Sequence, residues 1–215
     1  MPPHLSLVFE LCEASLLDYL AEHSMEPAQR LAVARDCASA VDFLHSEQWL
    51  HRDLKLANFL LNQQGRALLT DLGTCVNLRA PPRPSSLVGT LENMAPELVL
   101  SFQAEDVPYS QASDVYALAV CVWGALANDP VPFKGLTAWA VRDRILAGDA
   151  PYDSALDVGG DAVPVVRRCW DRSPAARPAA SEVCAALEAC FKRRSGLQSP
   201  PLPSIQAHIC ARVNV

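Results

Sequence analysis

The chain has 215 residues, half of them apolar, with 18 basic against 24 acidic side chains and a formal net charge of −6. That length suits one globular domain with a sizeable core, and the acidic balance gives no reason to expect nucleic acid or an anionic membrane as a partner. The eight cysteines form no C-x-x-C pair and the histidines do not cluster, so free thiols are expected rather than zinc ligands.

The opening MPPHLSLVFELCEAS has neither a basic start nor an apolar block long enough for a signal peptide or membrane anchor, which places the chain in the cytosol or nucleus. Leu5 to Leu11 reads as a short buried strand. From Ser24 as N-cap, with Pro27 in the first turn, a helix is expected to about His45. Val33, Cys37, Ala40, Val41 and Leu44 gather on its inner face, and Arg30 and Arg35 belong to a solvated one. Phe59–Leu61 and Ala67–Thr70 read as two small strands joined by the turn Asn62-Gln63-Gln64-Gly65.

From Thr74 to Asn93 no period persists and PPRPSS interrupts the run, so an irregular loop is expected. Ser113 to Ala127 is apolar all round, which predicts a buried central helix. Thr137 to Ala147 predicts an amphipathic helix stopped by Gly148. Two more helices, Val163–Trp170 and Glu182–Phe191, bracket the turn RSPAARP, and residues 195–215, opening SGLQSPPLPS, read as a disordered tail.

The run HRDLKLANFLL, from His51 to Leu61, sets an aspartate, a lysine and an asparagine close together and then turns apolar. This predicts a short loop that delivers polar groups to one point and is anchored by a strand. Downstream, in order, come Asp71-Leu72-Gly73 and Ala95-Pro96-Glu97.

In order and spacing these motifs resemble the signature set of the eukaryotic protein kinase family, H-R-D-L-x-x-x-N, D-F-G and A-P-E. Lys55 and the pair Gly89-Thr90 resemble the serine/threonine kinases, and the CW…RP ending resembles the tyrosine-kinase-like branch. The resemblance implies an α+β, mainly α-helical fold: the hinge and large lobe of a kinase over residues 1–194, with a few short strands and the small lobe largely absent. No G-x-G-x-x-G occurs anywhere in the chain.

The resemblance also implies ATP and Mg2+ as cofactors and a protein as substrate. Phosphoryl transfer needs a carboxylate to accept the proton of the attacking hydroxyl, which assigns Asp53 as base, and Lys55 to the charge of the transferring phosphate. Magnesium prefers oxygen ligands, which assigns Asn58 and Asp71 to the metal and nucleotide. Glu10 and Cys12 would present hinge backbone groups to adenine, and Leu60 would form the floor beneath it.

By the same resemblance, Glu97 would pair with Arg177, Asp114 would hold the backbone of the catalytic loop, and Thr90 would position Asp53. Arg52 would receive a phosphate added at Ser85 or Ser86. Leu72 in place of phenylalanine should still anchor Asp71, and Asn93 stands where the family commonly has an aromatic residue. Three readings stay open: a fragment or short form of a complete kinase, a binding module docking partners through the helix around Trp139, and an inactive scaffold.

Overall fold

The computed structural model describes residues 9–80, 86–102, 107–152, 156 and 159–195. Seven α-helices carry nearly half of these residues: α1 (Leu16–Glu22), α2 (Pro27–Ser46), α3 (Pro96–Leu100), α4 (Gln111–Ala127), α5 (Ala138–Ala147), α6 (Ala162–Arg168) and α7 (Ala180–Ser195). Five short strands complete it: β1 (Cys12–Ser15), β2 (Trp49–Leu50), β3 (Phe59–Asn62), β4 (Ala67–Leu69) and β5 (Val76–Asn77). The fold is α+β and mainly helical.

Helix α4 is the axis. Every residue from Ser113 to Leu126 is buried, because α2, α6 and the segments flanking α3 cover it on all sides. Its start is fixed by a capping box in which Ser110 and Ser113 each bond the other's backbone N–H. Helix α2 lies between α4 and α7, with Val33, Cys37, Val41 and Leu44 in the core and Ala40 at its edge. Helix α5 begins at the Thr137 cap and ends at Gly148 with φ +85, where only glycine is comfortable.

Three sequence expectations are corrected. The first described strand is Cys12–Ser15, not Leu5–Leu11: Phe9 and Leu11 are 70% and 79% exposed, and residues 5–8 lie outside the described residues. Pairing with β3 starts only at Cys12 opposite Asn62, whose side-chain amide donates to Glu10 at 2.7 Å.

The cap of α2 is Glu26 rather than Ser24. Asn128 occupies the approach to the helix, accepting the Met25 N–H at 2.8 Å and donating to Ser24 Oγ at 3.3 Å. Arg35 is buried, not solvated, because α7 covers that face: its guanidinium lies 4.4 Å from the Phe191 ring centroid and bonds Asp36 at 3.1 Å.

Two small sheets set up the site. β1, β3 and β4 form an antiparallel sheet in the order β1-β3-β4, with Phe59 opposite Leu69 and Leu61 opposite Ala67 facing the core. Arg66 bolts this hairpin to α2, its Nε and Nη2 donating to Asp36 at 2.6 and 3.0 Å. β2 pairs with β5, so the loop expected between Thr74 and Asn93 holds one two-residue strand, too short for a period to reveal. Its residues 81–85, and the tail from 196 onward, lie outside the described residues.

Candidate functional site

The catalytic-loop motif occupies the stretch between β2 and β3. Leu54 and Leu56 are buried and alternate with Asp53, Lys55 and Ala57, which stay partly open. The apolar pair anchors the loop from below and turns the polar groups outward together. A 3-10 turn, Leu56–Asn58, then leads directly into β3.

Asp53 is the centre of the cluster. Its Oδ2 accepts Lys55 Nζ at 2.7 Å and its Oδ1 accepts the Thr90 hydroxyl at 3.0 Å. Asn58 donates through Nδ2 to the Asp53 carbonyl at 2.8 Å. That bond commits the amide nitrogen and leaves Oδ1 as the oxygen available to a cation.

Asp71 follows β4 and is brought alongside by the Thr70 peptide. The Thr70 N–H donates to the Asn58 carbonyl at 2.9 Å, and His51 Nε2 meets the Thr70 carbonyl at 2.9 Å. Asp71 itself sits in the left-handed region, φ 59 and ψ 61, with an exposed side chain. Leu72, half-buried, opens the 3-10 turn Leu72–Thr74 that follows. An amide oxygen and an exposed carboxylate form the hard-oxygen donor set that magnesium takes, with phosphate oxygens and water completing the shell. Among the described residues no group of three or more His, Cys, Asp or Glu could hold a metal ion.

The loop's backbone is held from α4. Asp114 accepts the His51 N–H on Oδ2 at 2.8 Å and the Arg52 N–H on Oδ1 at 2.9 Å, while His45 Nε2 meets Oδ2 at 3.0 Å. Arg52, at φ 70, donates through Nε to the Thr74 carbonyl at 2.6 Å, and the Thr74 hydroxyl donates to the His51 carbonyl at 2.8 Å. Catalytic loop and Asp71 turn are thereby stitched together from both sides.

A family model described as the protein kinase domain matches residues 1–187. The chain belongs to the protein kinase family. It is 30% identical over 87% of its length to the serine/threonine/tyrosine-protein kinase HT1 of Arabidopsis thaliana, covering 47% of that protein. It is also 31% identical over 74% of its length to a probable LIM domain-containing serine/threonine-protein kinase of Dictyostelium discoideum, covering 16% of it. Kinase suppressor of Ras A of Caenorhabditis elegans matches 86% of the chain at 25% identity, with 25% of that protein covered. The chain thus spans less than half the length of these relatives.

Within this kinase domain the structure brings Asp53, Lys55, Asn58 and Thr90 into direct contact and sets Asp71 beside them. The Glu97–Arg177 pair and the Asp114 clamp expected from the resemblance are both present. Leu60 is half-buried on β3 and pairs with Leu68 on the sheet face turned away from Phe59 and Leu61. Glu10 is spread between two contacts, its carboxylate on Asn62 and its carbonyl accepting the Cys12 thiol at 3.8 Å.

Asn93 is buried, its amide 3.7 Å from the Cys121 thiol of α4. Ser86 is exposed, and Ser85 lies outside the described residues. Sequence reasoning missed His45, Thr74 and Tyr109, whose parts depend on partners far away in the chain.

Proposed function

We propose that residues 1–194 of this chain form the hinge and large lobe of a protein kinase domain, the part that carries the residues for transferring the ATP γ-phosphate to serine or threonine hydroxyls of proteins. One observation carries the reading: the Asp53 carboxylate is held between Lys55 Nζ and Thr90 Oγ1 at 2.7 and 3.0 Å.

In this reading each Asp53 oxygen keeps lone-pair capacity for a substrate hydroxyl, and Asp53 orients that hydroxyl and accepts its proton. Lys55 serves two ends, holding Asp53 and offsetting charge on the transferring phosphate. Asn58 Oδ1 and the Asp71 carboxylate would hold the metal. Bound Mg2+–ATP supplies the electrophilic phosphorus and neutralises the phosphate charge. Leu60 and Leu68 offer an apolar floor for the adenine, and the backbone at Glu10 and Cys12 lines its edge. A phosphate on Ser85 or Ser86 would bind Arg52, whose Nη1 is buried with no partner among the described residues.

A second reading, a kinase-like binding or scaffold module, is supported by α5. Trp139 is 78% exposed there, with Leu136 beside it in sequence and Leu100 at the end of the neighbouring α3, 71% exposed.

A transfer assay with γ-labelled ATP and a generic protein substrate separates the two, using Asp53→Asn and Asp71→Asn as controls. Transfer by the chain that both substitutions abolish supports the kinase. Nucleotide binding without transfer, both in this chain and in a form that carries a Gly-rich loop and a strand lysine, selects the scaffold. No described helix is long and apolar enough to cross a membrane.

A further inference from the structure

Tyr109 lies outside every motif named so far, immediately before the Ser110 cap of α4. Its hydroxyl accepts the Val88 N–H at 2.7 Å and donates to the Val88 carbonyl at 2.5 Å. One side chain therefore takes up both backbone groups of a residue that belongs to no helix or strand. The same ring faces the Arg52 guanidinium, 5.2 Å from the centroid, directly before Asp53 in the chain. Burial raises the phenol pKa further than its Val88 bond and Arg52 lower it, so the hydroxyl stays protonated and able to donate.

The residues that follow Val88 are held just as tightly. Gly89 has φ +116, and a Cβ there would stand 2.9 Å from the Arg52 carbonyl oxygen and 4.0 Å from Asp53 Oδ1. The chain thus runs directly against the Arg52–Asp53 peptide. Thr90 then bonds Asp53. Three consecutive residues are fixed by three contacts: Val88 by Tyr109, Gly89 by the catalytic-loop backbone, Thr90 by Asp53.

Asp114, on the far side of the same Ser110–Ser113 capping turn, holds the N–H groups of His51 and Arg52. The head of α4 therefore grips both loops, the catalytic loop through Asp114 and the segment facing it through Tyr109. A tyrosine present only for packing would need its ring and not two hydroxyl bonds.

We propose that Tyr109 is a positioning residue: it fixes the Val88–Thr90 backbone over the catalytic loop and so sets where the Thr90 hydroxyl meets Asp53. Its consequence for phosphoryl transfer rests on the reading of Asp53 as the base.

The test uses the whole chain and Tyr109→Phe, which keeps the ring under Arg52 and removes both hydroxyl bonds. Amide hydrogen exchange at Val88–Thr90 and the carboxylate carbon signal of Asp53 are followed by NMR, alone and in a Thr90→Val background. The Asp36 carboxylate, which is paired with Arg66, serves as the remote control. The expected result is exchange at Val88 about tenfold faster, with the Asp53 signal moving toward its Thr90→Val position and Asp36 unchanged. Adding Tyr109→Phe to Thr90→Val then moves Asp53 no further.

Unchanged exchange at Val88, an Asp53 signal that moves together with Asp36, or additive effects of the two substitutions would each overturn the proposal. None of these readouts needs phosphoryl transfer. Absence of transfer both in this chain and in a form that carries a Gly-rich loop and a strand lysine, while Asp53 responds, removes the kinase reading and keeps Tyr109 in place. Transfer with an unresponsive Asp53 does the reverse.

Discussion

Arg177 and Glu97, 80 positions apart, meet in a two-pronged ion pair, Nη1 to Oε1 at 2.8 Å and Nη2 to Oε2 at 2.7 Å. The Arg177 side chain is fully buried, and its remaining donors reach the Asp171 and Ala112 carbonyls at 2.8 and 2.9 Å. The buried charge meets its counter-charge and two backbone carbonyls, so the pair ties the α3 start to the turn before α7. Removing one partner strands the other. Glu97→Ala or Arg177→Ala is expected to lower stability by about 3–5 kcal/mol, read by urea unfolding. A loss within the scatter of surface substitutions would contradict this.

Asp114 divides its two oxygens between two backbone N–H groups. In Asp114→Asn one of them is replaced by an NH2 that cannot accept. One amide of His51 or Arg52 is then left buried without a partner, at about 1–3 kcal/mol. Hydrogen exchange should rise at those two amides while the α2 core stays protected. Equal protection in both proteins would show that the loop does not depend on Asp114.

Gly89 and Gly135 both have positive φ, +116 and +78, but only Gly89 has backbone within reach of an added Cβ, whereas Gly135 has nothing within 4 Å. Gly89→Ala must push the chain off the Arg52 carbonyl and is expected to cost about 1–3 kcal/mol, with Thr90 drawn away from Asp53. Gly135→Ala meets only the backbone preference and should cost about 1 kcal/mol. Thermal unfolding of the two variants checks the order; the reverse order would refute the close approach.

Burial pushes the thiols of Cys75 and Cys169 up to about 12, and raises those of Cys37 and Cys121 as well. The folded chain therefore keeps protons that the unfolded chain releases above about pH 8.5. Stability from these groups is complete below that pH and falls as pH rises toward about 12. Urea unfolding across this window should show the decline, and Cys121→Ala should make it shallower. A flat profile would contradict the burial of these thiols.

Much of this arrangement is legible in the sequence, for a physical reason. The catalytic loop, the Asp71 turn and the α3 start are each local, with function and fold encoded within a few adjacent residues, so HRDLKLAN, DLG and APE can be read directly. Helix α4 is legible because it is buried all round, and Gly148 because a left-handed cap favours glycine.

The misread parts depend on what packs opposite. Arg35 looks solvated until α7 is placed over it. Ser24 looks like a cap until Asn128 arrives from the end of α4. Tyr109, Thr74 and His45 carry no local signature, since each acts through a backbone group or carboxylate distant in sequence.

The central claim is that Asp53, Asn58 and Asp71 surround one metal-bound nucleotide. The most direct measurement is paramagnetic broadening of the chain's NMR signals by Mn2+–ATP, with Mn2+ standing in for Mg2+. The account predicts that the Asn58 side-chain amide and the Asp53 and Asp71 backbone signals broaden first, that Arg66 and Trp139 are spared, and that Asp71→Asn abolishes the effect. Broadening centred elsewhere, or none at these three residues at millimolar nucleotide, would contradict it.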